Sequence, residues 1–400
     1  MISVAQALNI VLDEFEPLPT EQVELKAGLG RILAEDIRAD IDLPPFDRAR
    51  MDGYAFKSSD ASVAPFRLRV IGEVAAGAVF SESVGRGEAV KIFTGAPIPD
   101  GADAVQMIEV TESTGDWVVI KEPAAVGNFV TPRASEVRAG HIVAEAGREI
   151  GPAELAVLAS FGCAAVGVGK QPKVSVLATG SELIEVSEKP SGAQIRNSNN
   201  YSIAGYVTRC GAQARMGGTV RDTVDATREA LLNAAESSDV VITTGGVSMG
   251  DYDLVKAALK EIGAEIFFDR VSIRPGKPTV FARRQGVFFF GLPGNPVSTA
   301  VTFNVFVRPA LRKMMGDRSP LLPAVQAIAS RHVKDGSDRQ SYLPARFFVS
   351  KGRAMAEPLK WGGSSDLVAF MEANAMIVVP EQIHEIGEGE PVDVILLSLI

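Results

Sequence analysis

Cysteine and histidine are scarce in this chain: it has two cysteines, Cys163 and Cys210, and three widely spaced histidines, His141, His332 and His384. Two cysteines cannot build a disulfide scaffold, and no Cys-rich or His/Cys spacing of a zinc site occurs. No stretch approaches the roughly 18 consecutive apolar residues of a membrane span, so no contact with a membrane is expected. The beginning lacks a basic region followed by an apolar run, so no secretory signal is read and a cytoplasmic location is the default. A basic stripe is missing too. The formal net charge is −9, which argues against a nucleic-acid partner. If such an acidic protein binds an anion, it must do so locally, with a few basic groups and backbone amides.

With 400 residues, of which 46% are hydrophobic and 22% charged, the chain can bury a large core and should form two to four domains. Val4, Leu8, Val11, Leu12 and Phe15 recur at helical spacing, and Pro17 and Pro19 end that helix. Residues 40–150 change character: short β-like runs (Leu68–Ile71, Ala89–Phe93, Trp117–Ile120) alternate with Gly/Pro turns. Pro152 then opens a helix through Phe161, so the first region reads as discontinuous, with a β-rich unit inserted.

From about residue 170, strands and helices alternate. Strands are expected at Lys173–Ala178, Val240–Thr244, Thr279–Phe281 and Val287–Phe290. Helices are expected around Ile203–Cys210 with Gly211 at the cap, at Thr223–Glu236 and at Tyr252–Ile262, and another is capped by Asn295 with Pro296 at its first position. This alternation argues for an open, mostly parallel α/β sheet covered on both faces. Pro309, Pro320 and Pro323 mark a boundary, after which short strands suggest a small C-terminal β domain. The expected division is 1–43 with 138–168 (a discontinuous N-terminal linker domain), 44–137 (the β-rich insert), 169–318 (the α/β domain) and 319–400 (the C-terminal, barrel-like β domain).

In an open parallel sheet, ligands bind outside the carboxyl ends of the strands. The unusual residues fall there: Thr179-Gly180-Ser181-Glu182, Arg221-Asp222, Gly245-Gly246-Val247-Ser248-Met249-Gly250 before Asp251 and Asp253, Arg274-Pro275-Gly276-Lys277-Pro278, and Gly291-Leu292-Pro293-Gly294-Asn295-Pro296. Glycine turns let the backbone approach a ligand closely, and helix starts after such turns suit phosphate or another oxyanion. Arg274 and Lys277 add full charges. Glu182, Asp222 and Asp253 would repel an anion unless a hard cation sits between them, and carboxylates with substrate phosphates commonly hold Mg²⁺. Each loop alone reads equally well as structure, and Asp251 reads as a cap for the helix beginning at Tyr252; their convergence in one domain points to a pocket. In the β-rich part, Phe46-Asp47-Arg48-Ala49-Arg50-Met51-Asp52-Gly53-Tyr54 holds a DG turn flanked by charge, and Thr94-Gly95-Ala96-Pro97 follows a strand.

Taken in order, PPFDRARMDGYA (44–55), KIFTGAPIPDGADAV (91–105), TGSEL (179–183), TTGGVSMGDYD (243–253), IRPGKP (273–278) and GLPGNPVS (291–298) resemble the molybdopterin molybdenumtransferase family, the MoeA or gephyrin E-domain type, over nearly the whole chain. The resemblance implies an elongated four-domain homodimer whose site lies between the α/β domain and the MDGYA domain of the other subunit. It implies that adenylylated molybdopterin binds the α/β domain, that molybdate joins the dithiolene sulfurs, and that the pyrophosphate bond breaks to release AMP in a Mg²⁺-dependent step. Contact with a molybdopterin adenylyltransferase belongs to the same expectation. A scaffold that binds molybdopterin without turnover, and a tungstate-specific insertase, are the alternatives.

Carried over by position, Asp52, Glu182, Asp222, Asp253 and Lys277 are the candidate catalytic residues, with Glu182, Asp222 and Asp253 as the metal set. Thr94, Thr179, Gly180, Gly245, Gly246, Ser248, Arg274, Pro293, Asn295, Pro296 and Ser298 are the candidate substrate- and oxyanion-binding residues, joined by Ser364 and one or both of Arg339 and Arg346. For molybdate, a tetrahedral dianion, Arg274, Lys277, Ser298 and the amides near Asn295 are the expected donors. Two departures stand out. Ser181 occupies a place where the family often has Asp, and Ser135-Glu136 stands where it has Glu-Asp, making Glu136 an additional acidic candidate.

Overall fold

The fold is described from a computed structural model covering residues 1–61, 63–247 and 253–397. These residues divide into two compact units: residues 1–35, 146–151 and 165–400 form the first, and residues 36–145 and 152–164 the second.

The first unit opens with helix α1 (Val4–Glu14), started by a capping box in which the Ser3 hydroxyl accepts from the Gln6 amide and the Gln6 side chain accepts from the Ser3 amide. Val4, Ala7 and Val11 form its buried face, and Phe15, fully buried at its end, sits among the rings of Phe281, Phe288 and Phe290. Each such ring contributes roughly 1.5–3 kcal/mol on burial, and this cluster anchors α1 to the core of the first unit.

The second unit is built on a six-stranded sheet of β1 (Gly53–Phe56), β2 (Phe66–Val74), β3 (Glu88–Ile92), β4 (Ala104–Met107), β5 (Thr111–Thr114) and β6 (Trp117–Ile120), in the order β4-β1-β3-β2-β6-β5. Its pairs are antiparallel except for β2 with β3. Helix α2 (Pro152–Ser160), opened by its proline, belongs to this unit. Two small apolar clusters, one around Phe56 and Leu68 and one around Val90 and Ile92, fill the two sides of the sheet.

The rest of the first unit begins with β7 (Lys173–Thr179), α3 (Asn199–Arg209), β8 (Gln213–Val220), α4 (Val224–Ala235), β9 (Val240–Thr244), α5 (Leu254–Glu261), β10 (Glu265–Phe268), β11 (Val280–Arg284) and β12 (Val287–Leu292). The sheet order is β8-β7-β9-β12-β11-β10; the first four strands are parallel to one another, and β11 pairs antiparallel with both β12 and β10. Gln285 and Gly286, both at positive φ, turn β11 into β12. The chain steps from β7 to β8 on one side and then crosses to β9 on the other, so the strand order reverses between β7 and β9. Register then decides which loops meet. Ala178, Thr244 and Leu292 lie in one row, and Thr179 pairs with Val220, so four carboxyl ends finish level.

Helix α6 (Pro296–Thr302) follows β12 and runs through a π-helical turn, Phe303–Val307, into α7 (Arg308–Met314). Pro309 therefore lies inside this continuous helical segment. The Arg308 amide reaches back to the Phe303 carbonyl, and the wider turn absorbs the amide that proline lacks. The C-terminal strands β13 (Ala324–Ala329), β14 (Gln340–Ser350), β15 (Arg353–Pro358), β16 (Ala375–Val379) and β17 (Pro391–Leu396) pair in the cycle β14-β15-β13-β17-β16 and back to β14, a closed small barrel. Helix α8 (Leu367–Met371) lies between β15 and β16. The short strand Ile273–Arg274 pairs with the start of β14, at Gln340 and Ser341, tying the barrel to a loop of the α/β part. No helix among the described residues is long and apolar enough to cross a membrane.

Candidate active site

Thr179-Gly180, Arg221-Asp222, Gly245-Gly246 and Pro293-Gly294 directly follow the levelled ends of β7, β8, β9 and β12. They open onto a cavity of about 920 Å³ whose wall includes Thr179, Gly180, Glu182, Asp222, Gly245, Gly246, Arg274, Lys277, Pro293, Asn295, Pro296, Ser298, Arg339 and Ser364. Fourteen of the positions proposed from the sequence are thus gathered in one place, those after β7, β8, β9 and β12 by the parallel register.

The glycines are required here. Gly245 and Gly246 sit at φ +87° and +66°, and an added Cβ would stand 2.5 Å from the Thr179 carbonyl oxygen in one case and 2.6 Å from the Thr179 hydroxyl in the other. The loops after β7 and β9 touch through these two residues, and any side chain would force them apart. Thr179 is 4% exposed. The hydroxyl of Thr244, a residue of the wall, is buried with no hydrogen-bond partner among the described residues. Such an orphan group at a cavity floor suits a polar ligand atom.

The charged groups sort into distinct roles. Lys277 makes no ion pair among the described residues. Arg339 donates through Nη1 to the Ile273 carbonyl at 2.8 Å. Arg274 faces the cavity but is paired with the buried carboxylate of Asp335, so it is not the unopposed cation the sequence suggested. The Glu182 carboxylate makes no hydrogen bond or ion pair among the described residues, while the backbone carbonyl of Glu182 accepts from the Ile195 amide at 2.9 Å. Asp222 accepts from the Ser181 amide at 2.7 Å, so Ser181 orients a neighbouring carboxylate through its backbone.

Several expectations are corrected. Asn295 stands at the N-cap of α6 without capping it; its amide nitrogen donates to the Ser364 hydroxyl at 2.8 Å. The amides near it are fewer than expected, because Pro296 has none and the Val297 amide donates to the Ser364 carbonyl at 3.0 Å. Those two bonds fix the loop before α8 against α6 and bring Ser364 to the cavity. Arg346 is not brought there: it lies exposed on β14, 3.4 Å from Glu372. Asp253 is not on the cavity wall either; it caps α5, accepting from the Lys256 amide at 3.4 Å, and burial pushes its carboxyl above the usual carboxylate range. Among the described residues no three carboxylate, histidine or cysteine side chains gather as a metal site; Glu182 and Asp222 share the cavity wall, and Asp253 is not part of it. Ser248, Asp251 and Tyr252 lie outside the described residues.

In the second unit, Asp52 accepts from both the amide and the hydroxyl of Thr94, each at 2.7 Å. The amide first and the hydroxyl second hold its carboxyl below the usual range. The glycine of the DG turn, Gly53, starts β1 and passes so close to β4 that a Cβ would stand 1.9 Å from the Gln106 carbonyl oxygen. Glu136 pairs with Arg48 at 3.0 Å.

The cavity also holds residues that the sequence reading missed: Arg196, Asn197, Ser198 and Asn199, and the aromatic Trp361. Asn199 donates to the Gly294 carbonyl at 2.7 Å, bridging the start of α3 to the β12 loop. The legible signal was the Asn-Ser-Asn-Asn run just after the short strand Ile195–Arg196; Trp361 carried none.

Comparison with known proteins now bears on this geometry. Family models match in chain order: "MoeA N-terminal region (domain I and II)" at residues 2–162, "Probable molybdopterin binding domain" at 175–313 and "MoeA C-terminal region (domain IV)" at 326–397. A molybdopterin molybdenumtransferase of Staphylococcus aureus (strain Mu50 / ATCC 700699) is 35% identical over 399 residues, covering 99% of this chain and 95% of that protein. One from Bacillus subtilis (strain 168) is 34% identical over 404 residues, covering 99% and 94%. The crystal structure of the molybdopterin biosynthesis MoeA protein from Pyrococcus horikoshii OT3 superposes with a TM-score of 0.86 at 32% identity, over 99% of this chain and 100% of that one. From the full-length match of sequence and fold, this chain belongs to the molybdopterin molybdenumtransferase (MoeA) family of enzymes of molybdenum cofactor biosynthesis.

Proposed function

We propose that this protein joins molybdate to adenylylated molybdopterin with release of AMP, in a Mg²⁺-dependent step, and that it works as a homodimer. The observation that carries this reading is the convergence of Lys277, Arg339, Ser298 and Ser364 with two carboxylates, Glu182 and Asp222, on one cavity at the reversal of strand order. Basic and hydroxyl donors suit a tetrahedral dianion. Glycine turns without side chains suit the close approach of a pyrophosphate.

In this reading Lys277 and Arg339 donate charge-assisted hydrogen bonds to the oxyanion, and Ser298 and Ser364 orient it. Lys277 also stabilises the negative charge that grows on the phosphate groups as the pyrophosphate bond breaks. Mg²⁺ is commonly held by one or two carboxylates and completed by substrate phosphates. Glu182 and Asp222 fit that pattern as a pair, with Asp253 left as a helix cap. The bound ion would neutralise charge on the breaking pyrophosphate. Asp52 and Glu136 enter the reading by position alone.

The experiment is AMP release from adenylylated molybdopterin by the full-length protein, with Mg²⁺ present or chelated, and with molybdate, tungstate or neither. Mg²⁺- and molybdate-dependent AMP release is expected. Equal release with tungstate alone would make the protein indifferent to the choice of oxyanion. Tight nucleotide binding without AMP release under any condition would replace the insertase reading with a scaffold.

A further inference from the structure

Arg274 reaches the cavity, yet its guanidinium is already committed, with Nη1 donating to Oδ1 of Asp335. The exposure of the two side chains is unequal: 38% for Arg274 and 0% for Asp335. Asp335 follows the short strand Val333–Lys334, and its own amide donates to the His384 carbonyl at 2.7 Å, which holds the backbone in place. Its second oxygen, Oδ2, is buried with no hydrogen-bond partner among the described residues. A fully buried carboxylate that leaves one oxygen unmatched is costly to keep, and among the described residues Arg274 is the one cation paired with it.

We infer that Asp335 is a positioning residue behind the oxyanion-binding wall whose charge sets how tightly the wall grips an anion. It holds Arg274 in position and cancels its charge. Of the four cations on the cavity wall, Arg196, Arg274, Lys277 and Arg339, Arg274 then adds no net charge, so the wall pulls on a tetrahedral dianion with one positive charge fewer. Asp335 does not line the cavity and acts through Arg274. Gripping an oxyanion equally in the ground state and the transition state lowers KM without raising kcat, so extra charge on this wall would tighten binding and add no turnover. The inference rests on the oxyanion reading of this cavity given above.

The test is calorimetric titration of the full-length protein at low salt with molybdate and with sulfate, using wild type, Asp335→Asn, Asp335→Ser and Lys277→Ala. Asn keeps a carbonyl oxygen for Arg274, and its amide nitrogen takes the place of an oxygen that has no partner to lose. Asp335→Asn should bind both anions about five- to tenfold tighter, the effect of removing one charge roughly 7 Å from a dianion in a water-like medium. The gain should shrink as salt is added, and the KM for molybdate should fall by the same factor without a rise in kcat. Asp335→Ser, which removes the charge and leaves room, should also tighten binding and carries the test if the amide variant does not fold. A merely structural role predicts weaker or equal binding in both variants, and that result overturns the inference. If wild type binds neither anion and Lys277→Ala changes nothing, the oxyanion reading falls and Asp335 falls with it. If wild type binds and Lys277→Ala weakens it while neither Asp335 variant tightens it, only the role of Asp335 is lost.

Discussion

Replacing Gly245 by alanine tests the contact on which the cavity floor depends. Two effects add. Gly245 is at φ +87°, a left-handed conformation that disfavours an L-residue by about 1–2 kcal/mol. The new methyl would also stand 2.5 Å from the carbonyl oxygen of Thr179, a backbone atom at the end of a buried strand that cannot rotate away. Moving β7 and β9 apart to admit it should add roughly 1–3 kcal/mol. Gly263 is the control: it is at φ +73° with nothing within 4 Å of an added Cβ, so alanine there carries only the conformational part. Urea unfolding followed by far-UV circular dichroism should place Gly245→Ala about 2–5 kcal/mol below wild type and Gly263→Ala about 1–2 kcal/mol below. Equal midpoints for the two variants would refute the contact argument and leave backbone conformation as the whole effect.

Other expectations follow from the same geometry. Asp253→Asn should keep both stability and AMP release, because asparagine caps as well as aspartate does, whereas Asp253→Ala should lose about 1 kcal/mol; abolished AMP release in the Asn variant would return Asp253 to the metal set. Lys277→Ala should raise the KM for molybdate roughly 10- to 100-fold, the loss of one charge-assisted hydrogen bond, with nucleotide affinity changed far less in the same assay. Thr94→Val removes one of the two donors to Asp52, so a carboxyl NMR titration should show the Asp52 pKa rising towards the usual value. Because the folded pKa is depressed, the stability this group contributes is present above the unfolded pKa and lost as pH falls through the folded one, and the variant should narrow that window. Cys210 is 6% exposed and burial pushes its thiol up to about 11, so it should stay unmodified by a thiol reagent at pH 8 until the protein unfolds, as followed by mass spectrometry.

Much of the fold was legible because its signals are local. Strand Val240–Thr244 and the body of helix Val224–Ala235 follow from apolar periodicity and their flanking caps, and the Gln285-Gly286 turn follows from residues that tolerate positive φ. The glycine-rich loops were legible for the same reason: a residue without Cβ marks a close approach wherever it occurs. What failed was of another kind. Asn295 has the chemistry of a cap, but Ser364, 69 positions away, claims its side chain. Pro309 has the chemistry of a helix end, but the π turn before it absorbs the missing amide. Asp253 was read as a metal ligand, and in the fold its carboxylate caps α5, a role the sequence had offered to Asp251.

The sequence alone determined the element order, the α/β alternation, the β-rich insert, the family and most residues of the cavity, since these rest on short-range periodicity, turn chemistry and motif spacing. Only the tertiary structure decided that Ala178, Thr244 and Leu292 share a row, that Arg339 rather than Arg346 reaches the cavity, and that Arg274 arrives already paired with Asp335. Those outcomes depend on strand register, barrel closure and burial of one charge against another, which link residues far apart in the chain and leave no trace in local composition.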